Sequence, residues 1–131
     1  MFAMVFTRSL EFPDRNILFL EYRLSIVSIN DLVKEEVQRQ IDAAIESIPY
    51  DKSRMSTPIA KSRFQYKEIS DYLLGFEYGH IIGICAWYYK DLVVRSGREV
   101  TKEEQRQVIN EISAIIVDRL PEIRQAILRT D

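Results

Sequence analysis

The sequence has few of the residues that build redox and metal sites. It contains one cysteine and one histidine among 131 residues. A single cysteine excludes a disulfide within the chain and a metal site made of several cysteines. The motifs G-x-x-x-x-G-K-S/T and G-x-G-x-x-G are missing as well, so nucleotide binding by those loops is not indicated. We therefore expect no cofactor.

Strong charge and a targeting signal are also missing. The net charge is only −2, which argues against a protein that coats nucleic acid through its overall charge. The first residues lack the basic region that opens a signal peptide, and we expect a cytoplasmic protein. A composition of 47% hydrophobic and 29% charged residues is typical of one globular domain at this length.

Glycine is scarce, and three of the four glycines lie in one apolar stretch, YLLGFEYGHIIGICAWYY, at residues 72–89. Each glycine inside a helix costs about 1 kcal/mol relative to alanine, so a compensating contact is expected. On a helix, these glycines and a nearby alanine share a sector of roughly 80°, which lets another backbone approach closely. The sequence thus predicts a contact surface for a helix of the same chain, for a second copy, or for a ligand. Its residues are Gly75, Gly79, Gly83 and Ala86.

The same stretch has about the length of a membrane span, because the 17 mostly apolar residues from Leu73 to Tyr89 would extend about 26 Å as a helix. Glu77 and His80 argue against that interpretation, since a carboxylate near the centre of a span costs roughly 2.5–3.5 kcal/mol. We expect a helix enclosed by protein and no contact with membrane.

Residues 1–27 alternate between apolar and polar side chains on either side of the turn-forming segment 13–16, which predicts a β-hairpin. Apolar stripes at helical spacing follow, so the predicted fold class is α+β, a hairpin packed on three main helices with a long central apolar helix. The predicted segments after the hairpin are a helix over 30–48, a basic loop over 49–61, the central helix over 62–96 and a C-terminal helix over 101–128 kinked at Pro121. The alternative at Pro121 is that the helix restarts there as a short final helix.

Local signals mark the ends of these helices. Ser28 or Asn30 is expected to cap the first helix, and Pro49 is expected to end it. Gly97 suits the residue that follows the central helix. Thr101 with Glu104 three residues later predicts a capping box for the last helix.

The pair Glu77 and His80 has the E-x-x-H spacing with which di-iron helix bundles direct two ligands inward. Such sites need a second copy of the motif and further carboxylates, whereas this chain has one histidine. A symmetric dimer would supply the second copy, and a histidine packed in an aromatic core is the alternative. Cys85 in the same helix is interpreted as a small buried apolar residue.

Segment 50–67 carries a net charge of +4, opposite in sign to the whole chain. Aromatic residues lie between its charges, an arrangement found on surfaces that bind phosphates and stack bases. The alternatives are a solvated linker and a site for an acidic protein partner. The candidate polyanion-binding residues are Lys52, Arg54, Lys61, Arg63, Tyr66 and Lys67.

These patterns lead to three functional hypotheses. The first is a small non-enzymatic assembly or interaction protein that forms a homo-oligomer, most simply a dimer, through the central helix or the hairpin. The second is a nucleic-acid-associated accessory protein that uses residues 52–67. The third is a metal-dependent enzyme that uses Glu77 and His80.

Overall fold

The protein is described from a computed structural model that covers residues 28–129. The chain divides into two compact units, of which the first ends at Leu32 and the second begins at Val33. All contacts between helices that are described below lie within the second unit. Five α-helices and no strand occupy the described range. They are α1 (Ile29–Met55), α2 (Pro58–Phe64), α3 (Ile69–Arg95), α4 (Lys102–Asp118) and α5 (Leu120–Arg129).

The predicted α+β class is wrong, because residues 28–129 are helical with short connections. The β element of that prediction came from the alternating pattern of residues 1–27, and the predicted hairpin lies outside the described residues. No segment from 28 to 129 carries the same period, and its apolar residues instead recur every three or four positions.

Helix α1 begins as predicted, since the Ser28 hydroxyl accepts a hydrogen bond from the Asp31 amide at 3.1 Å. It does not end at Pro49 but continues to Met55, so the predicted bounds 30–48 and the basic loop 49–61 are both wrong. A proline inside a helix removes one backbone hydrogen bond and costs about 3 kcal/mol. Continuation keeps Ile48, Asp51 and Met55 on one buried stripe, and this packing outweighs the proline.

Helices α2 and α3 are separate, so the single predicted helix over 62–96 is wrong at its start. Thr57 caps α2, and Gln65 ends it in the left-handed conformation with φ +51°. Tyr66 then donates a hydrogen bond to the Met55 carbonyl, and its ring stacks on Tyr72 at a centroid distance of 5.0 Å. These aromatic contacts hold the turn that divides the two helices.

The C-terminal end of α3 is closed by Gly97, as predicted. Its φ of +95° is one that side chains rarely tolerate. The Gly97 amide donates to Val94 O at 3.0 Å and the Arg98 amide donates to Val93 O at 3.4 Å, which together form a Schellman motif. The chain thereby turns from α3 towards α4 within six residues.

The predicted capping box of α4 is present. The Thr101 hydroxyl accepts a hydrogen bond from the Glu104 amide at 3.1 Å, and the Glu104 carboxylate accepts one from the Thr101 amide at 3.0 Å. Of the two outcomes predicted for Pro121, the restart is the one observed, because α4 ends at Asp118 and the short helix α5 begins at Leu120. Pro121 lies in the first turn of α5. Backbone N–H groups there have no intrahelical acceptor, so the proline costs no helical hydrogen bond.

Thr101→Ala should lower the free energy of unfolding by about 1 kcal/mol, because the Glu104 amide loses its acceptor. Urea denaturation measures the change. Thr101→Ser is the control, since serine keeps the accepting hydroxyl and should restore most of the stability. Equal losses in the two variants would contradict a role for the cap.

The core lies between α1, α3, α4 and α5. Helices α3 and α4 are neighbours, and the Tyr78 and Ser113 hydroxyls are hydrogen-bonded between them at 2.6 Å. Helix α1 is tied to the C-terminal region by Arg119, which contacts the Asp42 carboxylate at 2.8 Å. Fully buried side chains of the core include Val37, Ile41, Ile48, Leu73, Ile81, Cys85, Leu92, Val93, Ile112 and Ile116.

Candidate functional site

The three glycines of α3 lie on its exposed side. A Cβ atom placed on Gly75, Gly79 or Gly83 would meet no other atom within 4 Å, apart from the neighbouring backbone of α3 itself, among residues 28–129. Ala86 is half-buried beside them. No described helix therefore occupies the small-residue surface.

The rest of this exposed side is aromatic and uncharged. Trp87 follows Gly83 by one turn, and 65% of its surface is exposed. His80 is exposed, and its ring stacks on Phe76 at a centroid distance of 6.0 Å. Between Asp71 and Lys90 the only acidic or basic side chain besides His80 is Glu77, which is buried. We call this exposed side of α3, from Gly75 to Trp87, the glycine face.

Glu77 lies on the opposite side of α3, with 1% of its surface exposed. It shares a hydrogen bond with Asp51 of α1. Its Oε2 atom has no hydrogen-bond partner in the described part of the chain. The structure thus brings together two buried carboxyl groups that the sequence analysis had not paired.

One proton is shared unequally by these two groups. Burial raises the pKa of Glu77 to about 8, and the neighbouring Asp51 contributes to this rise from its ordinary value. Burial also raises the pKa of Asp51, but hydrogen bonds from Glu77, Arg54 and Ser47 outweigh that effect and lower it. The Arg54 guanidinium lies 3.1 Å from Asp51 Oδ1. At neutral pH Glu77 is therefore protonated and donates to the Asp51 carboxylate.

The E-x-x-H pair is not assembled as a ligand set. Glu77 points into the core towards Asp51, whereas His80 lies on the glycine face against Phe76. Within residues 28–129 no group of three histidine, cysteine or acidic side chains is placed to hold a metal ion.

Cys85 is buried, and burial followed by the nearby Glu36 raises the pKa of its thiol to about 12. The thiolate form is the reactive nucleophile, and this environment disfavours it. The location agrees with the interpretation of Cys85 as an apolar core residue.

The structure divides the basic segment. Lys52 donates a hydrogen bond to the Ile127 carbonyl of α5 at 3.0 Å. Arg54 pairs with Asp51, and its guanidinium lies 5.3 Å from the ring centroid of Tyr50. These two cations are used within the fold. Lys61, Arg63 and Lys67 are exposed on and after α2.

An open groove lies where α1 ends, α2 passes and α3 begins. Its volume is about 210 Å³. We call it the α2–α3 groove, and its lining residues are Ser56, Lys61, Tyr66, Lys67, Glu68 and Ile69. Three of the six predicted polyanion-binding residues, Lys61, Tyr66 and Lys67, therefore line one cavity, while Lys52 and Arg54 contact other residues of the fold.

The sequence contained a usable signal for the buried pair. Glu77 is the only acidic residue among 18 residues of the apolar stretch 72–89. Asp51 follows Ile48 by three positions, so it falls on the buried stripe once α1 continues through Pro49. Because the sequence predicts that Pro49 ends the helix, it places Asp51 in a loop and does not predict its pairing with Glu77.

Comparison with models of protein families, with curated proteins and with solved structures yields no significant match in any of the three. None of the helices within residues 28–129 combines the length and the apolar character needed to cross a bilayer.

Proposed function

We propose that this chain is a non-enzymatic assembly protein that associates with a second copy of itself through the glycine face of α3. The observation that carries the proposal is a helix side exposed over more than three turns, from Gly75 to Trp87, on which no Asp, Glu, Lys or Arg side chain lies. Water-facing helix surfaces ordinarily carry charged residues, and contiguous uncharged patches with exposed aromatic residues are typical of interfaces.

The glycines support a helix as the occupant of this face. Each lowers the stability of α3 by about 1 kcal/mol relative to alanine, and no contact within the described residues offsets that loss. A second helix seated on Gly75, Gly79 and Gly83 would offset it through close backbone packing.

The spacing of the face also suits two-fold symmetry. Gly79 is the middle of three glycines spaced by four residues, so a two-fold axis near Gly79 would relate the outer glycines of one copy to those of the other. Trp87 would lie at the edge of the contact, where its large exposed ring would be covered. A homodimer is the simplest assembly with these properties.

Gly79→Leu should convert the protein from a dimer to a monomer, because the added side chain prevents close approach of the two helices. Light scattering coupled to size exclusion, over about 1–100 µM, measures the mass. The matched control is Ala114→Leu, which adds leucine to an exposed position of α4 and should leave the dimer intact. A native protein that is monomeric at 100 µM, or a dimer that tolerates leucine at Gly79, would contradict the proposal.

A further inference from the structure

The α2–α3 groove holds two cations that the fold does not use. Neither Lys61 nor Lys67 makes an ion pair or a side-chain hydrogen bond with another residue in the range 28–129. Most arginines of the same range are paired with acids: Arg39 with Glu36, Arg54 with Asp51, Arg95 with Asp91, Arg98 with Glu104, Arg106 with Glu103 and Arg119 with Asp42. The ammonium groups of Lys61 and Lys67 are therefore both available to a ligand in this groove.

The walls of the groove are held in place by contacts made elsewhere. The Tyr66 hydroxyl donates to the Met55 carbonyl, and the Tyr66 ring stacks on Tyr72. The Ser56 hydroxyl donates to the Lys52 carbonyl at 2.6 Å, which leaves its oxygen free to accept but not to donate. A ligand would therefore enter a preformed cavity, and its main partners would be the two ammonium groups.

We propose that the α2–α3 groove binds the phosphate group of a small phosphate ester, which Lys61 and Lys67 contact from the rim. Lysine ammonium groups bind phosphate as compact charges, with three donors each for the oxygens of the anion. Two such groups match the double charge of a phosphomonoester better than the single charge of a carboxylate.

The size and the charge distribution favour a small ligand over a polymer. A volume of about 210 Å³ is several times the ~30 Å³ share of one water molecule, and it lies below the roughly 300–1,000 Å³ of pockets that enclose drug-sized ligands. A nucleic-acid strand would need a row of cations, but Lys52 and Arg54 are engaged within the fold. The inference is independent of self-association through the glycine face.

Isothermal titration calorimetry of the full-length protein at low ionic strength tests the proposal, with pyrophosphate, AMP and acetate as separate probes. Pyrophosphate and AMP should bind, and acetate should bind at least about tenfold more weakly. The double variant Lys61→Gln/Lys67→Gln should lose at least about tenfold in affinity, because each charge-assisted contact contributes on that scale. The matched control is Lys34→Gln/Lys102→Gln, which removes two exposed cations of α1 and α4 and should bind like the native protein.

A variant that binds phosphate more tightly than the native protein is a useful second test, because unfolding could explain a loss of affinity but not a gain. Glu68 places a negative charge on the groove, and its side chain makes no capping hydrogen bond at the start of α3. Glu68→Gln should therefore strengthen phosphate binding several-fold, at a cost in helix stability of no more than about 1 kcal/mol from the lost interaction with the helix dipole.

Several results would overturn the proposal. They are an absence of heat with 10 mM pyrophosphate, equal losses in the two double variants, equal affinity for acetate, and unchanged affinity in Glu68→Gln. Binding of a single-stranded oligonucleotide without binding of AMP or pyrophosphate would also overturn it, in favour of a polymer surface.

Discussion

The free energy of unfolding of the native protein should fall as the pH rises from about 5 to about 8, and Glu77→Gln should abolish this pH dependence. The pKa of Glu77 is raised from 4.5 to about 8 in the folded protein. Across that interval the unfolded chain releases a proton that the folded chain keeps. The free energy of unfolding should therefore fall by about 1.4 kcal/mol per pH unit, which amounts to several kcal/mol in total.

The direction of this effect follows from which state holds the proton. A group whose pKa is raised by folding stabilises the protein below its unfolded pKa, and that contribution is lost as the pH rises towards the folded pKa. Asp51 behaves in the opposite way, because its pKa is lowered by folding. Its contribution is present above its ordinary pKa of 3.8 and is lost only in more acidic solution, so it stays constant from pH 5 to pH 8.

Urea denaturation at half-unit steps from pH 5 to pH 9 measures the effect. The side-chain amide introduced by Glu77→Gln would stay neutral throughout and can still donate to Asp51, so the variant should show a nearly flat profile. Glu111→Gln removes an exposed carboxylate of α4 and should keep the slope of the native protein. Parallel profiles for the native protein and Glu77→Gln would show that the buried carboxyl is not the source of the pH dependence.

Replacing Gly75, Gly79 and Gly83 together by alanine should stabilise the isolated chain by about 3 kcal/mol. Each substitution raises helix propensity by about 1 kcal/mol, and the added methyl groups meet no atom within 4 Å in the described part of the chain apart from the backbone of α3. Thermal or urea denaturation at sub-micromolar concentration, where association contributes little, measures this gain.

The same variant should dimerise more weakly, so its two effects have opposite signs. Three methyl groups on the glycine face would separate the paired helices, and the dissociation constant should rise by at least about tenfold, measured by sedimentation equilibrium. Ala114→Gly on the exposed side of α4 calibrates the propensity term: it should cost about 1 kcal/mol and leave association unchanged. Stabilisation of the triple variant with unchanged dimerisation would exclude the glycines from the interface.

Where the sequence predicted structure correctly, the responsible interactions are local. Thr101 and Glu104 are three residues apart, and the Gly97 turn at the end of α3 depends on carbonyls three and five residues back. Such contacts form between residues already close along the chain, so their residue types are enough to predict them. The small-residue sector of α3 is equally local, because helical periodicity alone places its glycines on one side.

The errors concern contacts between distant residues. Continuation of α1 through Pro49 depends on the burial of Ile48, Asp51 and Met55 against other helices. The turn that separates α2 from α3 depends on Tyr66, whose hydroxyl reaches a carbonyl eleven residues earlier in the chain. Local helix propensity does not include the energy of contacts between distant residues. Tertiary packing outweighs propensity both at Pro49 and at the turn between α2 and α3.

The chain by itself thus determined a helical apolar stretch at residues 72–89, the small residues on one side of it and the excess of positive charge before it. Only the tertiary structure decided which side of that helix is covered. It turned Glu77 inward to Asp51, left the glycine face open among the described residues, and separated Lys61 and Lys67 from Lys52 and Arg54. The reason is physical: burial and pairing depend on side chains that meet only after the helices have packed.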